Sequence, residues 1–256
     1  SGTGKELRSI YFIDSNIGWV VGTSGTILKT ADGGATWSSQ SSGTSRDFHD
    51  VHFINSNTGF AVGDNGTLIK TSDSGSSWSA ISATEKDLRE IFFIDSNTGW
   101  TVGNYGTILK TGDGGSSWSS IGSLTKHLRS VYFVDSNTGW IADMNGNIYK
   151  TTDGGSNWSS TQLDDNPSFN NIFFLDSNTG WVVGSGGKIL KTTDGGNSWS
   201  QKGGPPIKKP EAIFFLDSQT GWVVGWSMDG QPNSDGYAGG MIYKTTDGGG
   251  TWSYQY

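Results

Sequence analysis

Acidic side chains recur at fixed intervals along the chain, which raises the question of a repeated metal or catalytic site. Six aspartates lie in octamers of the type T-x-D-x-G-x-x-W, separated by 41, 40, 40, 41 and 53 residues. They are Asp32, Asp73, Asp113, Asp153, Asp194 and Asp247. Carboxylates in Asp-Gly-Gly turns accept hydrogen bonds from the turn's own backbone, and a catalytic site does not need six copies of itself. We name the turns in these octamers Asp-box turns, after their shared aspartate, and predict that they are structural and hold no metal ion.

A second set of residues differs from repeat to repeat, as a binding site would. Its members lie four positions before a phenylalanine of each repeat: Arg8, His49, Arg89, Arg129, Asn170 and Glu211. Guanidinium groups bind carboxylates through two parallel hydrogen bonds. This pattern predicts a site for the acidic or carboxylate group of a protein or peptide. The alternative is that the arginines pair with acids nearby in the sequence, which are Glu6, Asp47, Asp50, Asp87 and Glu90.

The last repeat is 12 residues longer than the one before it, with a spacing of 53 against 41, and the excess, here named the insertion, lies between its second and third predicted strands, within 226–241. It contains Trp226, the one tryptophan outside the repeated motifs, and Tyr237. An aromatic loop of this kind could clamp a peptide or stack on a sugar, so both residues join the candidate binding site. The alternative is a lid that packs over its own repeat. The acidic residues of the insertion match a calcium loop poorly.

The elements that must position these residues are short strands. In the fifth repeat, NNIFFLD, WVVG, KILKT and WSQ are runs rich in β-branched and aromatic residues, separated by turns rich in Gly, Asn and Asp. Such runs indicate antiparallel hairpins, and no segment has the 3.6-residue apolar period of a helix. Four strands every ~40 residues is typical of propeller blades. We predict an all-β, six-bladed β-propeller of four-stranded antiparallel blades, with an Asp-box turn between the third and fourth strands.

The repeats are expected to form one domain over residues 1–256. Their approximate limits are 7–44, 45–84, 85–124, 125–165, 166–206 and 207–256. In a propeller, the second-to-third and fourth-to-first connections lie on one face, here named the variable-loop face, and the Asp-box turns lie on the other. The arginines and the insertion are therefore expected on the variable-loop face.

Composition narrows the classes of partner. The chain has 256 residues and a formal net charge of −7, which argues against a general affinity for nucleic acid or anionic membranes. It contains no cysteine, so disulfides and thiolate metal sites are excluded. No segment reaches the ~20 apolar residues that span a bilayer, and no membrane insertion is predicted.

At the octamers the sequence resembles a known family. The six octamers resemble the Asp-box of bacterial neuraminidase repeats. Together with F-x-D-S-N-x-G-W and I-L-K-T, they make residues 7–256 similar to the photosystem II stability and assembly factor-like repeat family. The resemblance implies an extracellular, periplasmic or cell-surface location. It also implies an arginine patch that contacts a partner, because the L-R-x-I/V-x-F context at Arg8, Arg89 and Arg129 is similar to that of the family.

Neuraminidases also contain the Asp-box, so catalysis has to be considered. Those enzymes need an arginine triad, an acidic Asp, a Tyr/Glu pair and an R-I-P segment, and the sequence has no R-I-P. We predict a non-catalytic scaffold without cofactors that binds a protein or peptide. Two alternatives stay open. One is a carbohydrate-binding module that uses Trp226 and Tyr237, and the other is a structural repeat domain of a larger surface protein.

Overall fold

The structure is a computed structural model that describes residues 2–122, 124–163, 165–226 and 240–255. It divides into two compact units, Ser1–Thr125 (unit 1) and Lys126–Tyr256 (unit 2), which are described one at a time. In the described ranges, no helix is long and apolar enough to cross a membrane.

Unit 1 contains three four-stranded antiparallel sheets whose strands pair in chain order. Blade 1 consists of β1 (Leu7–Phe12), β2 (Gly18–Gly22), β3 (Ile27–Thr30) and β4 (Ser38–Gln40). Blade 2 consists of β5 (Phe48–Phe53), β6 (Gly59–Gly63), β7 (Leu68–Thr71) and β8 (Ser79–Ala80). Blade 3 consists of β9 (Leu88–Phe93), β10 (Gly99–Gly103), β11 (Ile108–Thr111) and β12 (Ser119–Ser120). One 3-10 turn links the second and third strands of each blade, at Thr23–Gly25, Asp64–Gly66 and Asn104–Gly106.

Unit 2 repeats this arrangement three more times. Blade 4 consists of β13 (Leu128–Phe133), β14 (Gly139–Asp143), β15 (Asn147–Thr151) and β16 (Ser159–Gln162). Blade 5 consists of β17 (Phe169–Phe174), β18 (Gly180–Gly184), β19 (Lys188–Thr192) and β20 (Ser200–Gln201), with a 3-10 turn at Ser185–Gly187. Blade 6 consists of β21 (Lys209–Phe215), β22 (Gly221–Trp226), β23 (Gly240–Thr245) and β24 (Ser253–Tyr254). The predicted class, an all-β six-bladed propeller, is confirmed. That residues 1–256 form one domain stays a prediction.

The apolar core of each unit lies between neighbouring blades. In unit 1, Trp19 of β2 stacks on Phe53 of β5 with ring centroids 3.5 Å apart, and its Nε1 donates to the carbonyl of Ser74 in the next Asp-box turn. In unit 2, Trp140 stacks on Phe174 in the same way and donates to the carbonyl of Gly195. Aromatic stacking combined with a satisfied indole N–H is a strong, directional contact. A single sheet could not bury these rings, which is why the repeats occur together.

Each Asp-box turn is held by its own carboxylate. Asp32 accepts hydrogen bonds from the Thr30 hydroxyl, the Thr36 hydroxyl and the Thr36 backbone N–H. The Thr30 hydroxyl oxygen also accepts from the backbone N–H of Gly34. The hydrogen bonds from Thr36, followed by that from Thr30, lower the pKa of Asp32 to about 2. The same pattern recurs in all six turns, so every blade closes its third-to-fourth connection locally.

Candidate binding site

The residues that differ between repeats lie at a backbone irregularity. In blade 1, Leu7 pairs with Gly22 and Ser9 pairs with Val21, so Arg8 is an extra residue in the strand. The other five blades have the same β-bulge, at His49, Arg89, Arg129, Asn170 and Glu211. Bulges redirect side chains and are common beside functional sites. The amino-acid pattern located these positions but carried no signal for the bulge.

A close backbone approach accompanies the bulge. A Cβ added at Gly22 would lie 2.0 Å from the carbonyl oxygen of Glu6, and one at Gly63 would lie equally close to that of Asp47. The second strand therefore needs glycine where it passes the bulge. In blade 4 this position is occupied by Asp143, which is fully buried. Blade 4 consequently departs from the common geometry.

In unit 1, two arginines from different blades converge on one histidine. Arg8 Nη1 lies 3.1 Å from His49 Nδ1, and Arg89 Nη1 lies 2.7 Å from His49 Nε2. The Arg8 and Arg89 side chains are 25% and 19% exposed, so both stay accessible from the surface. The structure thus brings together three of the predicted site residues.

Acidic residues surround this cluster, as the alternative interpretation required. Arg8 forms ion pairs with Glu6 at 3.4 Å and with Asp47 at 3.1 Å. Arg89 forms one with Asp87 at 3.0 Å. Asp47 and Asp87 have a second task, since they accept the backbone N–H groups of Ser24 and Asn65 in the 3-10 turns of the preceding blades. The carboxylates therefore tie the arginines to the variable-loop face.

The environment of His49 favours the neutral form of its ring. Burial lowers its pKa, and the positive charges of Arg89 and Arg8 lower it further, although Asp64 acts in the opposite direction. Asp64 Oδ1 lies 2.6 Å from His49 Nε2. With its proton on Nε2, His49 donates to Asp64, and Nδ1 is left to accept from Arg8 Nη1 at 3.1 Å and from Arg89 Nη1 at 3.4 Å. Sequence reasoning missed Asp64, because its contact with His49 depends on the turn between β6 and β7.

In unit 2, Glu211 and Trp226 contact each other. Trp226 Nε1 donates to Glu211 Oε1 at 2.9 Å, and Lys209 Nζ lies 2.8 Å from the same oxygen. Lys209 Nζ also lies 5.0 Å from the centroid of the Trp226 ring, in a cation–π arrangement. Trp226 is 39% exposed and belongs to β22. Tyr237 lies outside the described residues, and Arg129 is a half-buried residue of β13.

One half-buried residue, Asp50, has a desolvated carboxyl group beside the bulge of blade 2. Asp50 Oδ1 accepts from the Ser9 hydroxyl at 2.6 Å, and Oδ2 accepts from the backbone N–H of Ile91 at 2.9 Å. Burial raises the pKa of Asp50 to about 6. In unit 2 the equivalent residue is Asn171, whose Oδ1 accepts from the backbone N–H of Ile213. Both side chains connect first strands of neighbouring blades. Within the described ranges, no three metal-binding side chains cluster together.

Blades of this type define the chain as a β-propeller protein built from repeats of the bacterial neuraminidase type. Residues 2–86, 39–164 and 123–256 match the family model described as photosynthesis system II assembly factor YCF48. The chain therefore belongs to the photosystem II assembly factor YCF48 family, as the sequence motifs indicated. Among curated proteins, none matches the chain significantly.

Solved structures show the same fold. "YCF48 bound to D1 peptide" is 23% identical, with a TM-score of 0.76 over 99% of this chain and 81% of that chain. YCF48 from Cyanidioschyzon merolae is 20% identical, with a TM-score of 0.78 over 100% of this chain and 86% of that chain. The GH74 enzyme of Niastella koreensis is 16% identical, with a TM-score of 0.76 over 98% of this chain and 45% of that chain. The fold is thus shared by assembly factors and by a glycoside hydrolase, and it does not by itself define activity.

Proposed function

We propose that the chain is a non-catalytic propeller scaffold that binds a protein or peptide partner through an acidic or carboxylate group. The observation that carries the proposal is the convergence of Arg8 and Arg89, from two blades, on the ring of His49. Each guanidinium is a planar fork of N–H donors that fits a carboxylate. Glu6, a present partner of Arg8, is 67% exposed and lies 3.4 Å away. A partner's carboxylate can replace this long surface contact.

Family membership supports the same proposal. A solved relative, described as YCF48 bound to D1 peptide, holds a peptide on this fold. At the bulges of unit 1 the arginines form ion pairs with neighbouring carboxylates. Glycoside hydrolysis uses two carboxyl groups that flank the scissile bond, whereas the guanidinium groups of Arg8 and Arg89 are hydrogen-bond donors for a bound carboxylate. This arrangement supports binding.

The test uses a D1 peptide with a free terminal carboxylate as the probe, with affinity measured by calorimetry. We expect the double variant Arg8→Glu/Arg89→Glu to weaken binding more than tenfold, because hydrogen bonds between charged groups contribute about 1.5–3 kcal/mol each. The matched control is Arg46→Glu, since Arg46 lies in the adjacent loop and donates to the carbonyl of Asn65. Its affinity should stay within about twofold of the parent protein.

To match the change in net charge, the single variants Arg8→Glu and Arg89→Glu are each compared with Arg46→Glu, because each replaces one arginine with one glutamate. If the double variant binds as tightly as the parent, or if Arg46→Glu weakens binding equally, the site is elsewhere. A version of the peptide with an amidated C-terminus distinguishes binding of the terminal carboxylate from binding of acidic side chains within the peptide. Arg129→Glu, made as a separate single variant, tests whether the arginine of unit 2 contributes to peptide binding. Circular dichroism of each variant establishes that it is folded before binding is compared.

We also propose an extracellular, periplasmic or cell-surface location, which is supported by the family resemblance alone. Fractionation of cells that produce the full-length protein, followed by immunodetection, is the direct measurement. Recovery in the cytoplasmic fraction only would contradict this assignment.

A further inference from the structure

We propose that a cavity in blade 4 binds a saccharide residue that carries a carboxylate, such as a hexuronic acid. The cavity has a volume of about 330 Å³, which is near the lower end of the range for small-ligand sites. All its lining residues belong to unit 2, whereas the residues of the arginine cluster belong to unit 1. Its lining consists of one ammonium group, one thioether and four carboxamides: Lys126, Met144, Asn145, Asn147, Gln162 and Asn166.

The turn that forms the cavity is specific to blade 4. The three blades of unit 1 and blade 5 of unit 2 connect their second and third strands through a 3-10 turn that follows a glycine. In blade 4 this glycine is replaced by Asp143, whose buried carboxylate accepts hydrogen bonds from the backbone N–H groups of Asn145 and Asn147. It also accepts from Asn147 Nδ2 and from the Tyr149 hydroxyl. A buried carboxylate needs such partners, and these four hold the turn in one shape.

This carboxylate fixes the orientation of one cavity group. Asn147 is 8% exposed, and its Nδ2 donates to Asp143 Oδ2 at 2.8 Å, so its Oδ1 is the atom left to accept from a ligand. Gln162 and Asn166 are hydrogen-bonded to each other at 2.8 Å. Whichever of the two amide nitrogens donates, the pair keeps one acceptor oxygen and one NH₂ donor. The cavity therefore presents acceptors and donors in defined places.

That mixture of groups selects the class of ligand. A sugar hydroxyl is both donor and acceptor, so neighbouring hydroxyls can satisfy alternating carboxamide groups. A bare anion such as phosphate would face the fixed acceptor of Asn147 at a cost. An apolar peptide side chain would require apolar walls, and Met144, 36% exposed, is the one apolar residue of the lining. Its thioether can contact the C–H face of a sugar ring.

The charge of the ligand follows from Lys126. This side chain is exposed and forms no ion pair with any described residue, whereas nearby Asp165 pairs with Lys188 of blade 5. A carboxylate on the ligand would supply the partner of Lys126 through a charge-assisted hydrogen bond. The carboxamides would then bind the ring hydroxyls.

The test compares methyl β-glucuronide with methyl β-glucoside, which differ at the carboxylate. Binding to the full chain is followed by two-dimensional NMR, which also reports the side-chain NH₂ signals of the four carboxamides. We expect saturable shifts of these signals with the glucuronide and about fivefold weaker binding of the glucoside. Lys126→Met should weaken glucuronide binding about fivefold and leave glucoside binding unchanged. Gln162→Ala should weaken both.

Lys86→Met is the matched control, because Lys86 has the same place before β9 as Lys126 has before β13. It should bind the glucuronide as the parent does. The proposal is overturned if the glucuronide gives no saturable shifts, or if Lys126→Met and Lys86→Met behave alike. It is also overturned if a short peptide with a free carboxylate shifts the same signals at lower concentration than the glucuronide. Arg8→Glu/Arg89→Glu should not change glucuronide binding, so this test is independent of the proposed peptide site.

Discussion

Trp19 and Phe53 lie face to face across the junction of blades 1 and 2, with ring planes 11° apart. Both side chains are fully buried. Trp19→Ala should therefore lower the free energy of unfolding by about 3–5 kcal/mol, through lost burial and the cavity that remains. Urea denaturation followed by circular dichroism measures this difference.

Blade 2 supplies the control for this substitution. There Phe60 replaces the tryptophan and stacks on Phe93 at 4.7 Å. Lys70, whose Nζ donates to the carbonyl of Gly114, makes the contact with the next Asp-box turn. Trp19→Phe should consequently cost less than Trp19→Ala. Equal losses for the two variants would show that the ring stacking contributes little.

The desolvated carboxyl group of the half-buried Asp50 should make the free energy of unfolding depend on pH. Its pKa is raised to about 6 from an unfolded value near 4, so the folded protein holds this proton more tightly than the unfolded chain does. The contribution of this bound proton to the free energy of unfolding is complete below pH 4 and is lost as the pH rises to about 6. Asp50→Asn removes this loss and should raise the free energy of unfolding at pH 7 by about 1–3 kcal/mol.

Asn171 provides the reverse substitution at the equivalent position of blade 5. Asn171→Asp should destabilise the protein at pH 7 and much less at pH 4, because the new carboxyl would be buried beside Ser130. Denaturation curves for both variants at the two pH values give the comparison. If Asp50→Asn lowers the free energy of unfolding at both pH values, ionisation of Asp50 does not destabilise the folded protein, and the prediction is wrong.

The Asp-box carboxylates should stabilise the folded protein in the opposite pH range, where they are ionised. Hydrogen bonds lower the pKa of Asp113 to about 2, chiefly those from Ser117, so the stability that they contribute is present above pH 4. It is lost as the pH falls from about 4 to 2. Asp113→Ala should lower the melting temperature at pH 7, and the difference from the parent should shrink toward pH 2. Carboxyl carbon NMR measures the pKa directly, and an ordinary value near 4 would contradict the hydrogen-bonded turn.

The protonation of His49 should respond to its neighbours in opposite directions. Arg89→Met removes a positive charge and should raise the pKa of His49, whereas Asp64→Asn removes the carboxylate and should lower it further. NMR titration of the ring protons in the two variants reports the shifts. Movement in the same direction in both would show that burial alone governs this histidine. Arg46→Met is the control and should leave the His49 titration unchanged.

Much of the molecule could be predicted from local patterns. The spacing of the six Asp-box turns, the short β-rich runs and the Gly-rich turns determined the blades, because hairpins and Asx-type turns depend on residues close in the sequence. The candidate site positions could also be predicted, since Arg8, His49 and Glu211 are different residues at equivalent positions of similar repeats. The family followed from the same motifs.

The tertiary structure decided what those residues touch. A bulge changes the direction of a side chain, and the amino-acid pattern does not record it. The contact of Arg8 and Arg89 with His49, the pairing of Trp226 with Glu211, and the cavity beside Asp143 all join residues from different strands or blades. Such contacts depend on register and packing over long separations in the chain, which local propensity does not determine. The sequence by itself therefore determined the blades and the Asp-box turns that close them, and only the packing of the sheets decided which side chains share a site.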